Sequence, residues 1–251
     1  MRRAPLVILL LAVLAAGSAW AQEPPPKLAA RLAACETGTT PEQRFAVFTA
    51  SMPAMAGTRR MGIRFDLEER RSGKSPFRRV AAAKWGRWDW SPANARGWVF
   101  TKRLMNLAVN RWYRAVVRFR WRDAKGRVQR TSRRVTPFCH QRDQRPNLQL
   151  ESLSAAKAGS YLVTIVNAGL TPAAESTVAV EPRPGSEVQR PVPPLAAGER
   201  TTVVVEAEPC RADAVVVVQL DRGRAIDESR EDDNRVENDC PKAPESGSRG
   251  R

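Results

Sequence analysis

The chain has 251 residues, with 42 Lys/Arg against 26 Asp/Glu for a formal net charge of +16. It carries four cysteines and a single histidine, His140. No two cysteines have the two-residue spacing of a zinc knuckle, which excludes a Cys/His metal site, and one histidine leaves little material for histidine-based acid–base chemistry.

The first residues form a targeting segment. Arg2 and Arg3 supply a positive start, Leu6 to Ala16 is an unbroken apolar run, and Ala19-Trp20-Ala21 is a small-x-small cleavage pattern. Residues 1–21 are therefore expected to be removed after Ala21. The apolar run falls short of the roughly 20 residues of a membrane span, with an uncleaved anchor as the alternative. The mature chain is expected to have no transmembrane segment and to be secreted, periplasmic or at the cell surface. Four cysteines in such a compartment allow three pairings. Order along the chain favours Cys35 with Cys139 and Cys210 with Cys240.

Charge divides what remains. Residues 22–146 carry a net charge of +19 and residues 147–251 a net charge of −5. The break falls at Pro146, which places a linker at 141–146. It separates a basic unit (27–145) from a second unit (146–240) and a polar tail (241–251) expected to be disordered.

Alternation of period two dominates the first unit and predicts strands. Over Arg59–Glu69, Met61, Ile63, Phe65 and Leu67 share one face, while Arg60, Arg64, Asp66 and Glu68 are expected to face solvent. A further strand is expected over Trp98–Leu107. Over Tyr113–Trp121, Tyr113, Ala115, Val117, Phe119 and Trp121 share the apolar face, with Arg114, Val116, Arg118, Arg120 and Arg122 opposite. Asp123-Ala124-Lys125-Gly126 reads as a hairpin turn, returned by a strand over Arg127–Phe138. Arg114, Arg118, Arg120 and Arg122, with Arg127, Arg130, Arg133 and Arg134 on the paired strand, are expected to form one continuous basic surface. Leu107, six residues before Tyr113, resembles the tyrosine corner of fibronectin type III and related sandwiches. That resemblance implies a Tyr113 hydroxyl bonded back to the turn. Trp85, Trp88, Trp90 and Trp98 have two readings: core residues, favoured for Trp88 and Trp90, or an exposed platform for sugar rings.

The second unit holds β-branched runs at Val203–Val205 and Val215–Val218, suited to a sandwich core. Four pieces in order carry a family resemblance. They are Pro146-Asn147-Leu148, then Tyr161 to Gly169 ending in Asn167-Ala168-Gly169, then Val192 to Glu199, and finally the acidic segment Asp227 to Asn234. Together they are similar to the bacterial cell-adhesion-related (CARDB) domain, with Asp233 standing where the family usually has Asn. The resemblance covers about residues 146–236 and implies an Ig-like surface module without catalytic activity. The acidic segment has two readings, as acceptors for its own hairpin backbone or, with Asp227, Glu228, Glu231, Asp232 and Asp233 supplying oxygens, as a calcium site.

The fold expected is all-β, two tandem Ig-like antiparallel β-sandwiches after a signal peptide. The function expected is non-catalytic binding or adhesion. Candidate ligand residues are Arg114, Arg118, Arg120, Arg122, Arg130, Arg133 and Arg134, and the expected partner is an anionic cell-envelope polymer or another surface protein. No cofactor and no nucleic acid are expected, because exported proteins rarely meet nucleic acid. The alternatives are a protein-contact or spacer role for the CARDB-like unit, and an envelope hydrolase. Against the hydrolase stand the missing Gly-x-Ser-x-Gly elbow and the lone histidine, although Asp66, Glu68 and Glu69 offer paired carboxylates.

Overall fold

The computed structural model describes residues 24–242, with residues 158 and 212 excepted. The expected signal segment and the tail from residue 243 lie outside the described residues. Among these there is no α-helix, and none is long and apolar enough to cross a membrane.

The basic half contains β1 (Ala29–Glu36), β2 (Phe45–Pro53), β3 (Arg60–Arg70), β4 (Arg78–Arg79), β5 (Trp88–Trp90), β6 (Gly97–Met105), β7 (Arg111–Arg122), β8 (Val128–Val135) and β9 (Cys139–Gln141). One antiparallel sheet runs β1-β2-β6. The other runs β4-β3-β7-β8, with β5 also on β3 and β9 also on β7. The alternation read from the sequence buries Met61, Ile63, Phe65 and Leu67 of β3 against Tyr113, Ala115, Val117, Phe119 and Trp121 of β7, and Ala46, Phe48, Ala50 and Met52 of β2 close the core from the other sheet. Trp121 meets its one polar need by donating its indole N–H to the Pro53 carbonyl at 2.8 Å. Leu107 and Tyr113 are both buried, and the Tyr113 hydroxyl accepts the Ala108 amide at 3.3 Å, the turn contact the tyrosine-corner resemblance implies.

The return strand differs from its expected form. Within Arg127–Phe138 only Val128–Val135 is strand, and β9 starts beyond it at Cys139; between the two, Thr136 donates its backbone N–H to the Ala115 carbonyl. At the hairpin end, Arg122 pairs with Val128 but Trp121 pairs with Arg130. Gln129 is therefore an extra residue, and such a bulge turns every later side chain to the opposite face.

The second half contains β10 (Leu148–Lys157), β11 (Ser160–Asn167), β12 (Ser176–Pro182), β13 (Val188–Val192), β14 (Arg200–Glu206), β15 (Val215–Leu220) and β16 (Arg235–Asp239). Sheets β10-β11-β14 and β13-β12-β15-β16 enclose a separate cluster built on Tyr161, Val163, Ile165, Val178, Val180, Val205, Val216 and Val218. Asn167 is fully buried and fully used. Its side-chain oxygen accepts the Asn147 and Gly169 amides, and its nitrogen donates to the Thr171 and Leu195 carbonyls. Gly169 is required there because a Cβ would strike the Pro146 and Arg145 backbone.

Both expected disulfides are present. Cys35–Cys139 has a Cα separation of 5.4 Å and Cys210–Cys240 one of 5.7 Å. The first joins β1 to β9 across 104 residues of sequence. In chain-entropy terms a loop of that size contributes about 4–5 kcal/mol. Cys35→Ser together with Cys139→Ser should lower the thermal midpoint by more than Cys210→Ser with Cys240→Ser, followed by circular dichroism with and without reductant.

Candidate functional site

The outward face of the β3–β7–β8 sheet places like charges side by side. Cross-strand register sets Arg64 opposite Arg118, Arg118 opposite Arg133, and Arg60 opposite Arg122. Directly opposed like charges are destabilising, and the face resolves this in two different ways along its length.

At one end carboxylates intervene. Asp66 was expected to face solvent; instead it is 4% exposed, lying beneath Arg64 at 2.9 Å, Arg79 at 2.8 Å and Arg118 at 2.9 Å. Glu68 holds Arg114 at 2.7 Å, and Glu69 lies 3.5 Å from Arg111. A buried carboxylate needs such partners, and the arginines of β4 and β7 close over it because the strands beside β3 carry them. Asp66 and Glu68 are thus engaged as counter-ions.

At the other end the partners are indoles. Trp88 and Trp90 stack at 5.8 Å, with Arg120 over Trp88 and Arg122 over Trp90, each at 4.3 Å. The register opposite Trp90 is Gly62, where a Cβ would meet Trp90 Cζ3 at 2.8 Å and Trp88 Cε3 at 3.0 Å. The missing side chain lets both rings lie against the strand. Core placement, favoured from the sequence, is corrected for these two: they are half-buried on the outward face, since the register of β5 on β3 points them away from the sandwich interior. Trp85 and Trp98 do pack against the core, Trp85 edge-on to Phe48 and Phe65.

Among the described residues Arg60, Arg120, Arg122 and Arg133 form no ion pair, and the Nε atoms of Arg120 and Arg122 are buried without a hydrogen-bond acceptor. The continuous surface expected from the sequence is divided. Arg114, Arg118, Arg120, Arg122 and Arg133 share the outward face. Arg130 and Arg134 oppose Trp121 and Val117 on the inward face of the exposed edge strand, because of the bulge at Gln129. Arg127 is held at 2.9 Å by Asp123 within its own turn. The lone His140 stacks on Trp112 at 4.0 Å; burial, then Arg142 and Arg70, hold its pKa below the ordinary value.

Among the described residues, three hollows stand out along this sheet. Two, of about 480 and 370 Å³, contain Glu69 and Asp66, whose carboxylates already hold arginines. The third, of about 300 Å³, lies at the β7–β8 hairpin and is lined by Arg59, Arg60, Trp90, Arg122, Asp123, Ala124 and Gly126.

The acidic segment of the other half folds on its own carboxylates. Asp221 accepts the Ala225 and Ile226 amides and the Ser176 hydroxyl. Glu228, 1% exposed, accepts the Leu148 amide and the Asn234 side chain. Glu231 accepts the Glu228 amide, Asp233 accepts Asn147 and Gln149, and Asp227 pairs with Arg145 at 2.6 Å. Among the described residues no three such side chains gather closely enough to hold a metal ion, so the calcium set Asp227, Glu228, Glu231, Asp232 and Asp233 is not assembled. Burial pushes the Glu228 carboxyl up to about 7, against the two N–H donors that favour its ionised form.

Residues 146–238 match the CARDB family model, the family that the four sequence pieces resemble. No curated protein matches the chain. Among solved structures the chain is similar to a CARDB domain from Pyrococcus furiosus, crystallised in complex with di-metal ions. The identity is 19% and the TM-score 0.33, over 39% of this chain and 89% of that one. It is also similar to a chain of a chaperone–tip adhesin complex of CFA/I fimbriae biogenesis, at 10% identity and a TM-score of 0.27, over 85% of this chain and 100% of that one.

Two outcomes follow from these contacts. Gly62→Val should displace both indoles and collapse the near-ultraviolet circular dichroism of the Trp88–Trp90 stack, while far-ultraviolet β signal persists. Glu228 releases its proton near pH 4.5 when unfolded and near 7 when folded, so stability should fall as pH rises through that window and level off above it. Glu228→Gln should flatten this slope and cost about 1–3 kcal/mol, because an amide oxygen satisfies only one of the two donors. All seven tryptophans precede Pro146, so calorimetry rather than tryptophan fluorescence must follow this unfolding.

Proposed function

We propose that this is an exported, non-catalytic binding protein built of two units, 27–145 and 146–240. In this reading the outward sheet face of the basic unit engages an anionic cell-envelope polymer, and the CARDB unit serves as a spacer or protein-contact module. The observation that carries the reading is the row Arg60, Arg120, Arg122 and Arg133, which lacks carboxylate partners among the described residues while its neighbours have them. Positive charge that a fold leaves uncompensated on one face attracts polyanions at long range. The indoles hold Arg120 and Arg122 in place, so less side-chain freedom is lost when an anion binds. The non-catalytic reading is supported by the engagement of Asp66 and Glu68 as counter-ions and by the stacked His140.

Binding of the purified chain to an acidic polysaccharide should be saturable and should weaken steeply between low and high salt, as exposed charges are screened beyond about 10 Å at 0.1 M. Arg120→Gln with Arg122→Gln should weaken it by roughly tenfold or more, the loss expected for one or two charge-assisted contacts. Arg103→Gln, on the other sheet, should leave it unchanged. Absence of binding at low salt would sink the reading and leave protein contact through the CARDB unit in its place.

A further inference from the structure

The hollow at the β7–β8 hairpin gathers three arginines around a single acid that is already engaged. Asp123 lies in its wall, but its Oδ1 accepts the Lys125 and Arg127 amides and its Oδ2 the Arg127 guanidinium. Gly126, at φ 77°, closes that turn, so the acid is fixed by the hairpin. Arg59 is tied to the same strand end, its amide donating to the Arg122 carbonyl at 2.7 Å. Three arginines, 59, 60 and 122, thus reach one hollow from the start of β3 and the end of β7. One of them, Arg122, sits over the Trp90 ring at 4.3 Å with its Nε buried and unaccepted.

A planar carboxylate is satisfied by the fork of a single arginine. Guanidinium groups arriving from two strands suit an anion whose oxygens point in several directions. A phosphate group carries about −1.5 to −2 charges and three strong acceptor oxygens. We propose that this hollow, with Arg59, Arg60 and Arg122, is an anchoring subsite for a phosphate group. The proposal rests on the polyanion reading of the sheet face and narrows it to phosphate-bearing ligands.

The test compares the full chain's affinity for labelled polyphosphate and for polygalacturonate, a carboxylate polymer, at one ionic strength. Polyphosphate should bind roughly tenfold tighter. Arg60→Gln and Arg122→Gln should each erase most of that preference. Arg60 is exposed and outside the indole stack, so its variant should keep the parent thermal midpoint and report on the pocket even if Arg122→Gln loosens the fold. Equal affinity for the two polymers, or a preference indifferent to both substitutions, overturns the subsite and leaves the polyanion face standing. Binding of neither polymer, with no retention on phosphatidylglycerol vesicles, overturns both. Phosphatidylglycerol vesicles form a further arm. Substitution-sensitive retention on vesicles without polyphosphate binding would keep the phosphate subsite and place its source in a lipid headgroup.

Discussion

The basic half of the chain is governed by the repulsion among arginines set opposite one another on adjacent strands. Arg64, Arg118 and Arg133 form one cross-strand row, and Arg60 and Arg122 form another pair. Each such opposition costs the sheet stability unless something stands between the charges. Asp66 does so for Arg64 and Arg118, at the cost of burying a carboxylate, while Arg133 has no such partner among the described residues. The indoles of Trp88 and Trp90 do so for Arg120 and Arg122, through the negative faces of their rings. The two solutions differ in consequence. A carboxylate cancels charge, whereas a ring holds a guanidinium without neutralising it. One end of the face is therefore internally compensated and the other remains positive.

The second half uses its charges inwardly. The carboxylates of Asp221, Glu228, Glu231 and Asp233 are spent on backbone amides and side-chain nitrogens that would otherwise go unmet in a loop without regular structure. Because Glu228 reaches the Leu148 amide and Ser229 the Pro146 carbonyl, the closing loop fastens the opening of the same sandwich. Sequence ends far apart become one local structure, and Gly169 and Asn167 complete it from the β11 turn.

Much of this was legible in the sequence because period-two alternation fixes which side chains face inward. Met61 to Leu67 and Tyr113 to Trp121 are buried as their spacing predicts, and cysteine order gives both disulfides. What alternation leaves undetermined is what covers the outward face. Asp66 has the parity of a solvent-facing residue and is covered by Arg64 of its own strand and by Arg79 and Arg118 from other strands. Arg130 and Arg134 follow a different failure. With no extra residue after the Asp123–Gly126 turn they would lie on the outward face beside Arg120, and the single inserted Gln129 reverses them. The Gly62 vacancy beneath two indoles is a signal that was present: a glycine within an apolar-alternating strand marks a place where something lies flat on the backbone.

The bond between Cys35 and Cys139 also sets how the chain bears tension. Its two cysteines sit in the first and last strands of the basic sandwich, so a pull on the chain from either side passes directly through sulfur. The intervening residues, with the arginine face and the indole stack, carry none of that load. The CARDB sandwich is bridged differently, since Cys210–Cys240 leaves β10 to β14 outside the shortcut and in series with the force. Stretched, the molecule would extend through its acidic half while its basic face kept its shape.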